Sequence, residues 1–227
     1  MLQELIDIRK YYENSGSASR RLILDDISIS INIGDAFAIV GPSGSGKSTL
    51  LNIMGTLDNP TSGIVMFKDV EVNSRNEKEL ANIRNRHIGF VFQKHYLLPQ
   101  LNLLENVLIP VIPQKDKVRV KAANIRAKNL LESVGLADKI HQLPGQLSVG
   151  ECQRAAVVRA LINEPELLLA DEPTGSLDHD SALQLGELLL KIKKDYEVAI
   201  IVVTHSMELA SSMNNIYKLI NGKLIRN

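Results

Sequence analysis

Apolar and polar positions alternate with period two over residues 27–33, ISISINI, which predicts a strand with one buried face. Residues 35–40, DAFAIV, form a short apolar run ending at glycine, as a buried parallel strand does. From Gly46 the period changes, and Leu50, Leu51, Ile53, Met54 and Leu57 recur at helical spacing. The turn cluster NPTSG (59–63) precedes IVMFKDVEV, a strand pair or hairpin, and NEKELANIRNR reads as a short helix before the strand HIGFVFQ.

Strand signal then fades from Lys94 to about Glu164, where VKAANIRAKNLLESVGL is an amphipathic helix with Gly135 as its stop. Two strand-like runs return, ELLLADE and EVAIIVVTH, separated by the helical SALQLGELLLKIKKDY. The tail IYKLINGKLIRN carries Asn-Gly between short apolar runs, a terminal hairpin. Alternating strands and helices predict an α/β fold with a mostly parallel sheet. An antiparallel β subdomain and an inserted α-helical subdomain complete a single domain over 1–227. Its core takes residues 1–93 and 165–227, and the helical insert takes 94–164.

Composition narrows the function. The 227 residues balance 26 Lys+Arg against 26 Asp+Glu, so no basic excess points to nucleic acid. The single cysteine excludes an internal disulfide and an all-cysteine metal site. No apolar run approaches the ~20 residues of a spanning helix, and MLQELIDIRKYY lacks the apolar core of a secretion signal. A cytoplasmic protein that docks on a membrane partner is expected. The basic stretch KDKVRVKAANIRAK (115–128) could touch phosphates or lipid headgroups. Its Val, Ala and Ile residues are expected to supply a buried face, leaving the basic face to solvent.

The chemistry begins at GPSGSGKST (41–49), which follows a strand, opens a helix and fits G-x-x-x-x-G-K-[ST]. Gly41, Gly44 and Gly46, with Pro42, Ser43 and Ser45 between them, let backbone N–H groups close around a phosphate, and the helix dipole adds to the attraction. Lys47 can reach the terminal phosphates, Ser48 can ligate Mg²⁺, and Thr49 completes the loop. LLLADE (167–172) is an apolar strand ending in two acids, with Asp171 directed to the metal and Glu172 able to orient and deprotonate an attacking water. His205 ends another strand, at the sheet edge where such folds hold ligands. It reads as a contact to the γ-phosphate or to Glu172, or as a structural histidine.

Together these motifs resemble the ABC transporter ATPase family over nearly the whole chain. GPSGSGKST resembles its Walker A loop, LLLADE its Walker B strand, FVFQ its Q-loop, LSVGE (147–151) its signature, GSLD (175–178) its D-loop and His205 its switch histidine. The resemblance implies a P-loop NTPase core that binds ATP with Mg²⁺. It also implies an ATP-dependent head-to-tail homodimer whose sites join one phosphate loop to the partner's signature. Tyr12, with Tyr11 as competitor, would stack on adenine, and Gln93 would help ligate Mg²⁺. Ser148, Gly150 and Glu151 of the signature, with Asp178, would complete the nucleotide contacts. Glu172, His205 and Lys47 would carry catalysis. The polar, Gly/Ser-rich segment after Tyr12 bears on that aromatic's placement.

GPSGSGKSTLLNIMGTLDNPTSG, LLENVLIP and ADEPTGSLD are similar to one branch of the family, containing lipoprotein-releasing, macrolide-exporter and cell-division ATPases. This implies a peripheral protein on the cytoplasmic face of the bacterial inner membrane, coupled to integral membrane permease subunits. Lipoprotein release is the favoured activity. A cell-division or macrolide-export ATPase acting as a mechanical or regulatory switch is the alternative, and a DNA-repair or translation ATPase a remoter one.

The signature itself departs from the family's usual form, with Val149 where glycine is usual. A valine forced to positive φ would cost roughly 1–2 kcal/mol, whereas in a first helical turn it costs only a few tenths. Because VGECQRAAVVRALI continues as a helix, the second case is expected. Ser148 would then cap the helix and pair with Glu151 in a capping box.

Overall fold

A computed structural model describes residues 1–13 and 20–226. The elements run β1 (Gln3–Glu13), β2 (Arg20–Ile31), β3 (Ala36–Val40), α1 (Lys47–Met54), β4 (Ser62–Phe67), β5 (Val70–Glu71), α2 (Glu77–His87) and β6 (Ile88–Phe92). After them come α3 (Leu103–Leu108), α4 (Lys117–Ser133) and α5 (Val149–Leu161). The chain ends with β7 (Leu167–Asp171), α6 (His179–Tyr196), β8 (Ala199–Val203), α7 (Met207–Ser211), β9 (Asn215–Ile220) and β10 (Lys223–Arg226).

The strands form two sheets. One has four strands in the order β2-β1-β4-β5 and is antiparallel throughout. The other has six in the order β10-β9-β3-β8-β7-β6. Its inner pairings are parallel, and β10 turns back on β9 at one edge. The expected α/β architecture is therefore present, with the antiparallel sheet and the terminal hairpin.

Period two divides the buried strands between two cores. Ala38, Leu168 and Val202 face a cluster with Val107, Ala127, Val157 and Leu189 of the helices. Phe37, Leu169 and Ile201 face α1 and the antiparallel sheet through Leu51, Leu5, Ile27 and Val65. Strands buried on both sides read as continuous apolar runs, which explains AFAIV and LLLA. Between β6 and β7 every regular element is helical. No helix among the described residues is long and apolar enough to cross a membrane.

One strand is new and two local expectations change. The N-terminal segment, which shows no clean alternation, is the long strand β1; it pairs on both edges and its register shifts near Ile8 and Lys10 interrupt the period. β2 begins at Arg20 and ends at Ile31, because Gly34 at φ 76 turns the chain and leaves Ile33 exposed. In α4 the buried residues are Ala123, Ala127, Leu130 and Leu131, while Val118 and Ile125 stand out in solvent. Small alanines let α4 lie close to its neighbours, and this packing turns Val118 and Ile125 outward while Val120 stays partly buried.

Strand and helix backbones approach closely at Gly89 of β6, where an added Cβ would sit 2.5 Å from the backbone oxygen of Ala160 on α5. Gly89→Ala should therefore force strand and helix apart at a cost of about 1–3 kcal/mol. The urea midpoint should fall at unchanged slope. Gly145→Ala, which meets open space, should stay within about 0.5 kcal/mol of the parent.

Candidate functional site

The parallel register places the chemistry. Ile39 of β3, Val203 of β8, Asp171 of β7 and Phe92 of β6 stand in one row across the sheet. The residues that follow emerge together at the carboxyl edge: the loop from Gly41, His205, Glu172 and Gln93. Segments distant in sequence thus meet at one cavity of about 490 Å³, lined by the phosphate loop together with Gln93, Glu172 and His205.

Within the loop, Gly46 caps α1 at φ 102, a conformation that side chains avoid. A Cβ there would also meet Ile23 at 2.9 Å, so the glycine lets β2 lie against the loop. The Lys47 ammonium donates to the carbonyls of Gly41 and Pro42 at 2.9 and 3.1 Å, folding back over the loop that a phosphate would fill. Gly41, Ser43, Gly44, Ser48 and Thr49 line the cavity. Ser45 is turned inward, its hydroxyl buried and without a partner among the described residues.

The Ser48 hydroxyl donates to Asp171 Oδ1 at 3.2 Å, joining loop to strand. Burial pushes the Asp171 carboxyl above its ordinary range; Ser48 pulls it down, the Glu172 charge raises it further, and Lys47 lowers it. A hydroxyl and a carboxylate side by side are hard oxygen donors of the type that hold Mg²⁺. No group of three or more His, Cys, Asp or Glu among the described residues forms a cage of its own. The Ser48–Asp171 donor set therefore suits Mg²⁺ held otherwise by water and substrate phosphates.

Glu172 adopts φ 46, a strained conformation for a non-glycine residue, and its N–H donates to Val203 O at 2.8 Å. Its Oε2 accepts the His205 N–H at 3.2 Å and lies 2.8 Å from His205 Nδ1. The end of β8 thus fixes the backbone of Glu172, and His205 just beyond it fixes the carboxylate. The Gln93 amide lies against Gly175, and the Gln93 carbonyl accepts from the Ser176 hydroxyl at 2.8 Å, joining the segments that carry Gln93 and Asp178.

The remaining expected residues stand apart from this cavity. Tyr12 is half-exposed near Thr49; its hydroxyl donates to Asp58 Oδ2 at 2.8 Å and the Lys10 ammonium lies 5.0 Å from its ring. Burial first, and the Asp58 bond second, raise its phenol above the ordinary value. The Gly/Ser-rich segment after it lies, at residues 14–19, outside the described residues. Asp178 caps α6, accepting from the backbone and hydroxyl of Ser181 at 2.9 and 2.8 Å.

Ser148, Gly150 and Glu151 open α5, away from the loop of the same chain. Ser148 caps α5 and makes the expected capping box with Glu151, and α5 begins at Val149, which is exposed and free of positive φ. Glu151 is also paired with Lys139, which with the Ser148 backbone holds its carboxyl below the usual range. Arg21 and Ile23 of β2 line the cavity and were not singled out from sequence. Their place depends on how β2 crosses the loop, and no local pattern reports that.

Two predictions follow from this geometry. Asp171 has a folded-state pKa above its unfolded value, so its carboxylate costs stability that is absent below the ordinary Asp range and complete above the raised pKa. Asp171→Asn should melt above the parent at pH 8, and the difference should vanish as pH falls below about 4. In the signature, Ser148→Ala should cost about 1 kcal/mol in denaturant unfolding. Val149→Gly should lose a few tenths of a kcal/mol rather than relieve strain.

Comparison with known proteins identifies the family. A family model described as ABC transporter matches residues 24–175. The lipoprotein-releasing system ATP-binding protein LolD of Geobacter metallireducens is 44% identical over 225 residues, covering 99% of this chain and 98% of that protein. The protein of the same description from Legionella pneumophila (strain Paris) is 41% identical over 221 residues, covering 97% and 96%. Among solved structures, an ATP-binding cassette described as dimeric, in a post-hydrolysis state bound to ADP and Pi, aligns with TM-score 0.85 at 34% identity. That alignment covers 98% of this chain and 96% of the other.

Proposed function

The chain belongs to the ABC transporter ATPase family, and we propose that it is the ATP-hydrolysing subunit of a complex that releases lipoproteins from a membrane. The observation that carries the catalytic reading is the convergence of Lys47, the Ser48–Asp171 pair, Gln93 and the Glu172–His205 pair on one cavity. The cargo follows the relatives of near-equal length that are named for lipoprotein release. No residue at the site bears on cargo.

In this reading Lys47 exchanges the carbonyls of Gly41 and Pro42 for phosphate oxygens, and the loop N–H groups hold the rest of the chain of phosphates. Ser48, Asp171 and Gln93 would hold Mg²⁺, which would supply positive charge against the phosphates. Glu172 orients a water and takes its proton as the oxygen attacks the γ-phosphorus; the bond to the β-phosphate oxygen breaks and ADP leaves. His205 holds the Glu172 carboxylate toward that water. Tyr12 faces the base. A second copy supplies Ser148 and Gly150, with Glu151 fixing the turn and Asp178 near the shared boundary. Nucleotide thereby acts as the glue of a dimer on a membrane partner.

Glu172→Gln tests this reading. It should keep ATP binding, elute as a dimer only with Mg-ATP, and lose about 10²–10⁴-fold in hydrolysis. Unchanged hydrolysis in the variant would contradict the assignment. So would background hydrolysis by the parent chain in the presence of its co-purified membrane protein, which would describe a nucleotide switch instead.

A further inference from the structure

The basic segment leading into α4 is the strongest feature that the ATPase site leaves unused. In a chain of zero net charge, Lys115, Lys117, Arg119, Lys121, Arg126 and Lys128 gather against one acid, Asp116. Asp116 is spent on the helix, accepting from the Val118 and Arg119 backbones. If this were an ordinary solvated face, its aliphatic residues would be turned into the core. Val120, Ala123 and Ala127 do so, but Val118 is 77% exposed and Ile125 56%, and Ile112, ahead of the helix, is 77% exposed.

The helix geometry arranges these residues as a stripe. At 100° per residue, Val118 and Ile125 lie almost on one line. Lys117, Lys121 and Lys128 flank that line on one shoulder, and Arg119 and Arg126 flank it on the other. The opposite face packs inward through Ala123, Ala127, Leu130 and Leu131. Arg126 is tied to Glu164 and the Ile162 carbonyl, and Arg119 lies 3.7 Å from Asp116. The three lysines make no ion pair among the described residues, and Glu132 stands at the far end of the same face.

We propose that this ridge is a direct contact with an anionic lipid surface. A bilayer interface takes apolar side chains to the depth of the headgroups while long lysine stems carry their charge up to the phosphates, and this stripe offers both at once. A nucleic-acid backbone would use the lysines and leave Val118, Ile125 and Ile112 without a partner. The inference goes beyond the ATPase reading and does not depend on it, since no residue of the stripe lines the phosphate-loop cavity.

Co-sedimentation of the full chain with vesicles tests it, using one-third phosphatidylglycerol in phosphatidylcholine against phosphatidylcholine alone. The parent should bind only the anionic vesicles and be released by salt. Each surface lysine is worth roughly a fivefold change in partitioning, so combining Lys117→Gln, Lys121→Gln and Lys128→Gln should weaken binding by about 100-fold. The corresponding Lys→Arg triple should bind as the parent does. Val118→Ser with Ile125→Ser should weaken binding several-fold while keeping its salt dependence. Retained ATP binding verifies that each variant is folded. Equal binding to neutral vesicles, an undiminished Lys→Gln triple, or binding to duplex DNA in preference to vesicles would overturn the proposal.

Discussion

Parallel pairing of β6, β7, β8 and β3 is the constraint on which the rest of the molecule depends. The row Phe92, Asp171, Val203 and Ile39 is a single line of paired positions; Asp171 stands in it, and Gln93, Glu172, His205 and the start of the phosphate loop at Gly41 follow within two steps. A slip of one residue between β7 and β8 would turn Asp171 from Ser48 toward the opposite face. The register is held because each strand is buried on both sides. Ala38 and Phe37, or Leu168 and Leu169, face different cores and cannot be exchanged without burying the wrong volume.

The same sheet edge is joined to the signature helix. Gln153 of α5 donates to the Phe92 carbonyl at 2.7 Å, one residue before Gln93, and Arg159 donates to the His95 and Tyr96 carbonyls at 2.7 Å. The helix that begins at Ser148 is therefore tied by hydrogen bonds to the segment that carries Gln93 at the cavity. Val149 leaves this arrangement intact, because it occupies an exposed place in the first turn and the backbone there is helical. The unusual signature is a local substitution on a helix that its capping box already fixes.

Most of the site was legible because its chemistry is local. A phosphate loop needs glycines and a lysine at set spacing, and an apolar strand ending in Asp-Glu stands out beside it. Both survive without knowledge of the tertiary fold. The Ser148–Glu151 capping box and the Asn-Gly hairpin were legible for the same reason.

What escaped was set by contact between distant segments. β1 hides its period behind register shifts, and Arg21 and Ile23 reach the cavity only because β2 crosses the loop. Of the α4 residues expected on the buried face, Ala123 and Ala127 are buried but Val118 and Ile125 are not, because their spacing fits a helix face without saying which face is buried. The alanines decide that, by allowing close packing where larger side chains would not fit.

A crystal structure of the parent chain with Mg²⁺ and a non-hydrolysable ATP analogue tests the central claim most directly. The account predicts that the Lys47 ammonium leaves the Gly41 and Pro42 carbonyls for the terminal phosphates. Ser48 and Asp171 should stand at the metal, and the Glu172–His205 pair should face the γ-phosphate. Triphosphate bound elsewhere, or bound with Glu172 and His205 turned away from its terminal phosphorus, would contradict the claim that the sheet edge is the catalytic centre.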